Sequence, residues 1–184
     1  MSKPLDVLLI TPPSRVQVYQ ELSRDFAAIE PPVWSGLIAT FLRQHSCSVA
    51  ILDAEAEGLN HQQTAERIAA IAPRLAVFVI YGQQPSASTQ CMPAGRKVCE
   101  ILTALADIPT LVMGTHPSAL PKRTLLEEPY TYVCQGEGPA TILGLVIALR
   151  APQHSLREVP GLWHMEKGVP VGNAPAQLLT NLDR

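Results

Sequence analysis

The feature that most constrains the fold is a repeated alternation of short apolar runs with segments of helical periodicity. The runs are rich in β-branched residues and span Val7 to Ile10, Ser48 to Leu52, Leu75 to Ile80, Thr110 to Met113 and Tyr130 to Cys134. Each is nearly continuous in hydrophobicity, as expected of strands buried on both faces of a sheet. The pattern predicts βαβ units and a doubly wound, open, five-stranded parallel sheet of Rossmann or flavodoxin type, with all five strands central or nearly so.

The segments between and after these runs carry apolar residues at the spacing of amphipathic helices. The predicted helices are Val33 to Arg43, His61 to Ile71, Gly95 to Leu105, Ser118 to Leu126 and Pro139 to Leu149. The first of them follows Pro31-Pro32, which suits a proline-led first turn.

The length of 184 residues suits one domain with a tail. After Arg150 the sequence pattern changes, and two short apolar stretches flank the turn Glu166-Lys167-Gly168. We therefore predict an α/β domain over residues 1–150 and a small β-hairpin appendage with a linker over residues 151–184. The last residues have linker character and suggest that the chain continues into a further domain.

The amino-acid composition limits the classes of partner that we expect the chain to bind. Charged residues make up 16% of the chain, where about 25% is average, so we expect part of the surface to be covered by another body. The net charge of -2, with no Lys/Arg cluster, argues against nucleic acid and membrane surfaces as partners. No apolar run reaches the roughly 20 residues of a membrane span, and the N-terminus makes a poor signal peptide, so we expect a cytoplasmic protein.

The four cysteines are scattered, without a Cys-x-x-Cys pair or a histidine at zinc-ligand spacing. They are interpreted as small core residues, and no protein metal site is predicted.

Ligands of open parallel sheets bind beyond the carboxyl ends of the strands, so the loops after the runs are the candidate site. These loops are small, polar and rich in glycine, which suits a large ligand with amide and phosphate groups. The candidate residues are Thr11, Pro12, Pro13, Ser14, Tyr81, Gly82, Gln83, Gln84, Ser86, Ser88, Gly114, Thr115, His116, Pro117, Gln135, Gly136, Glu137 and Gly138.

These loops do not suit acid/base catalysis. Glu137 is the only carboxylate in the four loops that hold these candidate residues, and no carboxylate or histidine partner stands near it in sequence. Neither a Gly-x-Gly-x-x-Gly after the first run nor a phosphate-binding Gly-x-x-x-x-Gly-Lys motif is present. The sequence therefore predicts a binding domain without catalytic residues.

The chain resembles the N-terminal cobalamin-binding domain of cobalamin-dependent radical S-adenosylmethionine enzymes. The resemblance spans nearly the whole chain and is carried by several segments in order: 7–13, 31–39, 53–59, 114–117 with Pro121, 132–139, 160–163 and 168–171. The Gly-x-His-Pro at 114–117 and the Gly-Glu-Gly at 136–138 are its most specific part.

The resemblance implies a corrinoid lying over the strand ends, with its nucleotide tail in the crevice and its upper face toward a radical domain. Thr11 to Ser14 and Gln83 to Ser88 would line the lower face and tail, while Gly114 to Pro117 and Gly136 to Gly138 would contact the tail and the corrin amides. The full-length protein would be a methyltransferase that acts on an unactivated carbon or a phosphorus centre, with S-adenosylmethionine and a [4Fe-4S] cluster. The cluster motif Cys-x-x-x-Cys-x-x-Cys is absent, so this chain would bind cobalamin without catalysing.

One departure concerns the cobalt. The Asp-x-His-x-x-Gly motif of cobalamin mutases, whose histidine is the lower cobalt ligand, is absent. Asp53 to Gly58 has similar spacing with Glu55 in the place of histidine, but it follows the second run rather than the first, and we interpret it as coincidence. The resemblance then implies base-off cobalamin without a histidine ligand.

Several residues have a plainer interpretation as well. His116 contacts the cofactor or only stabilises a turn, Glu137 contacts a ligand or only favours the helix dipole, and Asp53 contacts a ribose or, as we favour, caps a turn. Tyr81 stacks on a ring or only packs, and Trp34 and Trp163 are predicted to pack.

Two other functions stay open. In the first, the domain has lost its ligand and serves as a docking or structural domain. In the second, it is a receiver-like signalling domain. The second is disfavoured because the loop after the first run lacks the acidic cluster of a phosphoacceptor.

Overall fold

The computed structural model describes residues 4–23, 25, 27–81, 85–151 and 153–178. Five parallel strands form the centre of the sheet: β1 (Val7–Thr11), β2 (Val49–Asp53), β3 (Leu75–Ile80), β4 (Thr110–Gly114) and β5 (Tyr132–Cys134). The predicted α/β class and its parallel sheet are confirmed. The expectation that all five strands are central is wrong for β2, which is an edge strand with mostly half-buried residues.

The predicted C-terminal β-hairpin is confirmed, and it belongs to the sheet rather than forming a separate appendage. Its strands, β6 (Leu162–Glu166) and β7 (Val169–Gly172), extend the sheet, because β6 pairs antiparallel with β5 through Val133 and Trp163. The sheet therefore has seven strands in the order β2-β1-β3-β4-β5-β6-β7. Adding β6 satisfies the outer backbone groups of β5, which would otherwise lie at an edge.

Seven α-helices connect and cover the strands in the described part of the chain. They are α1 (Arg15–Tyr19), α2 (Val33–Gln44), α3 (His61–Ile71), α4 (Pro85–Leu105), α5 (Thr115–Ala119), α6 (Pro121–Glu127) and α7 (Pro139–Arg150). Short 3-10 helices span Gln20–Ser23 and Leu156–Glu158.

The helices differ from the prediction by more than one residue at three places. The helix α4 begins at Pro85 rather than Gly95, so half of the predicted loop after β3 is helical, and Pro93 lies inside the helix. The helix predicted over Ser118 to Leu126 is split in two at Leu120, where Pro121 opens α6. The short helix α1 between β1 and α2 was not predicted.

The sheet separates two apolar cores, as a doubly wound fold requires. Val7 and Leu9 point to one core with α2 and α7, while Leu8 and Ile10 point to the other with α3, α4 and α6. Every residue of β3 and β4 is buried. No helix in the described ranges is long and apolar enough to cross a bilayer.

Strand order places a crevice between β1 and β3. The chain leaves β1 toward β2 on one side, while β3 lies on the other side of β1 and leads to β4. In this order the connections diverge at β1 and β3, and the crevice opens beyond their carboxyl ends.

At the opposite, amino edge of the sheet, Asp6 holds several elements together. Its carboxylate, 1% exposed, accepts from Arg150 Nε at 3.0 Å, from Ser48 Oγ at 2.7 Å and from the Ser48 backbone N–H at 2.9 Å, and Arg74 lies 3.7 Å away. Burial raises the pKa of this carboxyl, but the hydrogen bonds from Arg150 and Ser48 outweigh it and hold the pKa well below its usual range. The carboxylate thus joins the end of α7 to the starts of β1 and β2.

We predict that Asp6→Asn lowers the free energy of unfolding by on the order of 3 kcal/mol at neutral pH, because the variant breaks a buried ion pair. Since folding depresses this pKa, the carboxylate stabilises the protein above its unfolded-state pKa of about 4, and the contribution is lost as the pH falls below that value. Urea unfolding at a series of pH values measures both effects. The control Glu100→Gln removes the carboxylate of an exposed pair with Arg96 and should change the midpoint far less; equal midpoints for the two variants would contradict the prediction.

Candidate functional site

A cavity of about 330 Å³ lies at the carboxyl edge of the sheet, at the crevice between β1 and β3. The strand ends contribute Thr11, Asp53 and Tyr81, and the first turns of α4 contribute Ala87 and Cys91. Most of the remaining wall comes from the first turn of α2 and from the connection between β1 and α2, which folds back over the strand ends. The cavity therefore occupies the position at which open α/β sheets bind their ligands.

Arg15 fixes the folded-back connection to the sheet. Its Nη1 donates to the carbonyl of Ser23 at 3.1 Å, and its backbone N–H donates to the Glu55 carboxylate. The guanidinium Nε also lies 3.7 Å from Glu55 Oε2, and the two side chains are 28% and 17% exposed. This partly buried pair neutralises Glu55 and joins the loop after β1 to the loop after β2.

Two aromatic rings stack at the cavity. The ring centroids of Trp34, in α2, and Tyr81, after β3, are 4.8 Å apart with 24° between the planes. Trp34 is nevertheless 50% exposed. Burial, followed by the nearby Cys134 and Glu137, raises the pKa of Tyr81 to about 12, so the phenol is neutral at physiological pH.

Two smaller polar side chains, those of Ser35 and Cys91, also line the cavity. Ser35 is 1% exposed, and its hydroxyl has no hydrogen-bond partner among the residues that the structure describes. Cys91 is half-buried, and burial raises the pKa of its thiol despite a hydrogen bond with Ser14. No cluster of metal-ligating side chains occurs within the described ranges.

Of the predicted site residues, Thr11, Ser14 and Tyr81 line the cavity, while Pro12 and Pro13 do not. Gly82, Gln83, Gln84 and the side chain of Ser86 lie outside the described residues. Asp53 lines the cavity and also caps a turn, as favoured from sequence, because its Oδ1 accepts from the Ala56 backbone N–H at 3.2 Å.

Ser88 has a structural role. It lies in α4, is fully buried, donates from Oγ to the Ile80 carbonyl at 2.6 Å and accepts from the His116 backbone N–H at 3.0 Å. Its hydroxyl thus joins the ends of β3 and β4 and presents no surface to a ligand.

The predicted loops after β4 and β5 lie outside the cavity lining. Gly114 and Pro117 are buried, Thr115 is exposed and opens α5, and the His116 ring shares a hydrogen bond of 2.9 Å with Thr89 Oγ1. Whether this short helix contacts a ligand stays a prediction.

The loop after β5 is held from two sides. The Gly136 N–H donates to Ser118 Oγ at 2.9 Å, and Gln135 Oε1 accepts from Trp163 Nε1 at 2.9 Å. Glu137 is exposed and Gly138 is buried. Their roles as ligand contacts also stay predictions.

Sequence reasoning missed most of the cavity lining, including Arg15, Trp34, Ser35 and Glu55. Trp34 and Ser35 stand in the first turn of a helix that follows β1, and such a turn starts near the carboxyl edge of the sheet. That position was the available signal for both residues.

The chain matches a family model over residues 22–146, which is more than half of its length. It belongs to the B12 binding domain family. No curated protein sequence matches it.

Solved structures share the fold of this B12 binding domain. TsrM, a radical S-adenosylmethionine methyltransferase from Kitasatospora setae solved with cobalamin and a [4Fe-4S] cluster bound, superposes with a TM-score of 0.71 at 16% identity, over 96% of this chain and 30% of TsrM. OxsB, a cobalamin-dependent S-adenosylmethionine radical enzyme solved with aqua-cobalamin and S-adenosylmethionine bound, gives a TM-score of 0.70 at 16% identity, over 96% of this chain and 23% of OxsB. The chain thus spans less than a third of the length of either enzyme.

The glycines of this B12 binding domain make different demands on the backbone. Gly114 has φ +148°, and a Cβ there would lie 2.0 Å from the Ile80 carbonyl oxygen. Gly136 has φ +105°, but a Cβ there would meet nothing within 4 Å. Glycine is therefore required at position 114 because β4 approaches β3 closely there, whereas at position 136 it is favoured only by the positive φ angle.

We predict that Gly114→Ala lowers the free energy of unfolding by at least about 2 kcal/mol more than Gly136→Ala does, because only the first adds overpacking against a fixed backbone to the strain of the positive φ angle. Urea unfolding of both variants tests this expectation. Equal losses would show that the strand ends can separate to admit a methyl group.

Proposed function

We propose that this chain is the cobalamin-binding domain of a larger radical S-adenosylmethionine enzyme, and that the cavity receives the nucleotide tail of the corrinoid. The observation that carries the proposal is the cavity at the β1/β3 crevice, in a chain of the B12 binding domain family. Open α/β sheets bind their ligands at this position.

The size of the cavity supports a model in which only part of the ligand enters it. Small-molecule pockets have volumes of about 300–1,000 Å³, and this cavity, at about 330 Å³, lies at the lower end. It can hold a nucleoside-sized group but not a whole corrinoid. The corrin macrocycle would then lie outside, over the strand ends, where the loops at Gly114 to Pro117 and Gln135 to Gly138 offer backbone and side-chain groups to its amides.

The lining supports an aromatic base inside the cavity. Trp34 keeps half of its surface exposed although it stacks on Tyr81, so an aromatic face is available to a planar ligand. Thr11 and Ser14 supply hydroxyl groups at the end of β1. An apolar wall with a few polar groups is typical of cofactor sites.

We further propose that cobalamin binds base-off and without a histidine ligand. No histidine lines the cavity in the described part of the chain, and the ring of His116 bonds to Thr89. If the benzimidazole enters the cavity, its ring nitrogen cannot coordinate the cobalt, and neither a protein imidazole nor the base would lie below the metal.

The chemistry of the complete enzyme would then be shared between domains. Residues 1–150 would bind the cofactor, and residues 151–184 would connect to the radical domain that holds the cluster and S-adenosylmethionine. Val16, Val33 and Leu37, near the cavity on α1 and α2, are 60–70% exposed. Such apolar surface favours the covering domain that the low charge content also predicts.

We predict that cobalamin stays with the chain through gel filtration and that Trp34→Ala raises its dissociation constant roughly tenfold, since stacking of one base on an aromatic side chain contributes about 1–3 kcal/mol. Equilibrium dialysis with detection of corrinoid absorbance gives the constant. The control Leu37→Ala removes another exposed apolar side chain of α2 that does not line the cavity, and should bind as the parent does.

The alternative, a docking domain that has lost its ligand, predicts no retained absorbance for any of these proteins. That result would overturn the proposed function. If Trp34→Ala and Leu37→Ala weaken cobalamin binding equally, the base does not stack on Trp34 in the cavity.

The ligation state has its own test. We predict that the electron paramagnetic resonance spectrum of bound cob(II)alamin lacks superhyperfine splitting from an axial nitrogen, because neither histidine nor benzimidazole coordinates the cobalt. Free cob(II)alamin at neutral pH, in which the benzimidazole coordinates, is the control. Nitrogen splitting in the complex would contradict base-off binding without an imidazole ligand.

A further inference from the structure

The side-chain amide of Gln135, directly after β5, uses only one of its two polar atoms within the described protein. Its Oε1 accepts a hydrogen bond of 2.9 Å from Trp163 Nε1, whereas its Nε2 has no partner among the residues that the structure describes. Gln135 is half-buried, and Nε2 is not one of the fully buried atoms that lack a partner, so it lies at the surface. The side chain therefore offers two N–H donors to a ligand.

The indole of Trp163 determines which end of this amide faces outward. A tryptophan Nε1 can only donate, so it bonds to the carbonyl oxygen of Gln135 and not to the amino group. Turning the amide around would place its amino group against the indole N–H and would lose the hydrogen bond. Trp163 thus holds Gln135 with its donors outward, whereas a glutamine without this bond could present either end.

The surroundings of Gln135 are fixed as well. Its backbone N–H donates to the Gly161 carbonyl at 2.8 Å, and the N–H of Gly136 donates to Ser118 Oγ at 2.9 Å. The Trp163 ring lies against Gly172 of β7, where it leaves no room for a Cβ. The β6–β7 hairpin therefore sets the position of the donor, together with the loop after β5.

The donor lies at the same edge of the sheet as the β1/β3 crevice. Gln135 and Trp163 line a second cavity, of about 470 Å³, between α6 and β6, and Leu120 adds an apolar side chain that is 43% exposed. Neighbouring strands are about 4.8 Å apart, so the end of β5, two strands beyond β3, lies roughly 10 Å from the end of β3. A macrocycle that extends from the crevice across the strand ends can reach this cavity with its side chains.

The side chains of a corrin match the groups found there. Each is a short methylene chain that ends in a primary amide. The methylene groups can pack against Leu120 and Trp163, and the amide carbonyl supplies the acceptor that the outward Nε2 of Gln135 requires.

We propose that Gln135 Nε2 donates a hydrogen bond to the carbonyl oxygen of a corrin side-chain amide, and that Trp163 is the positioning residue for this donor. The inference rests on the proposed function. It adds a role in cofactor binding for the β6–β7 hairpin, which lies outside the unit of residues 1–150 that was predicted to bind the cofactor.

The test is a double-mutant cycle on the affinity of the full chain for cobalamin, measured by equilibrium dialysis. Gln135→Ala removes the donor and should raise the dissociation constant about fivefold, the effect of one lost hydrogen bond. Trp163→Phe keeps an aromatic ring without the N–H and should raise it about twofold, because the amide then presents its donors in only about half of the molecules. The double variant should bind as Gln135→Ala does, since Trp163 acts through Gln135.

The matched control is Gln62→Ala. Gln62 is an exposed glutamine of α3 that lines neither cavity, and its loss should leave the affinity for cobalamin unchanged. Circular dichroism melting checks that each variant folds, and Trp163→Tyr, which also lacks the indole N–H, replaces Trp163→Phe if the latter does not.

A spectroscopic measurement on the parent chain detects the donor directly. The side-chain amide signals of Gln135 in a nitrogen-15 spectrum, assigned by their absence in Gln135→Ala, should shift when cobalamin is added. The side-chain amide signals of Gln62 should not move.

The outcomes separate this inference from the proposed function. A parent chain that does not bind cobalamin overturns both. If the parent binds but Gln135→Ala binds equally well, or the Gln135 signals do not shift, Gln135 is not a donor to the cofactor. If the substitution of Trp163 causes the same loss with and without Gln135, Trp163 does not act through the amide, and its positioning role is overturned.

Discussion

The constraint on which the structure depends is that the parallel sheet is buried on both faces, so that polar groups are confined to its two edges. At the amino edge, the buried Asp6 carboxylate accepts hydrogen bonds from Ser48 and Arg150. At the carboxyl edge the same burial leaves Ser35 without a described partner and Trp34 half exposed. One edge thus stabilises the fold, and the other holds the cavity that we propose as the ligand site.

The elements set by short-range pattern could be predicted from the sequence. Continuous apolar runs gave the five parallel strands because burial on both faces leaves no alternation, and α3 was predicted with the bounds that it has. The pairing of β6 with β5 could not be read in this way, since it joins Trp163 to a strand thirty residues earlier and follows from the need to cover an edge. The start of α4 at Pro85 was missed because its first turns are polar and lack an apolar stripe.

The sequence predicted the position of the cavity better than it predicted the residues that line it. The rule that ligands bind at the carboxyl ends of parallel strands pointed to Thr11, Ser14 and Tyr81, and these three residues line the cavity. It could not distinguish a loop residue facing the crevice from one such as Ser88, whose hydroxyl is used within the protein. The missed Arg15 reaches the cavity because residues after β1 fold back, and that path depends on tertiary contacts with Glu55 rather than on periodicity.

The contrast between Gly114 and Trp34 clarifies how binding and shape are divided in this domain. Gly114 belongs to the segment that carries the strongest family resemblance, yet its immediate physical reason is the 2.0 Å approach of a Cβ to the Ile80 carbonyl oxygen. Trp34 lies in the segment 31–39, which also carries that resemblance, and its exposed ring is costly to keep in water unless something covers it. Gly114 therefore keeps the strand ends close together, and Trp34, in the first turn of α2, has the exposed ring on which we propose that the base of the ligand stacks.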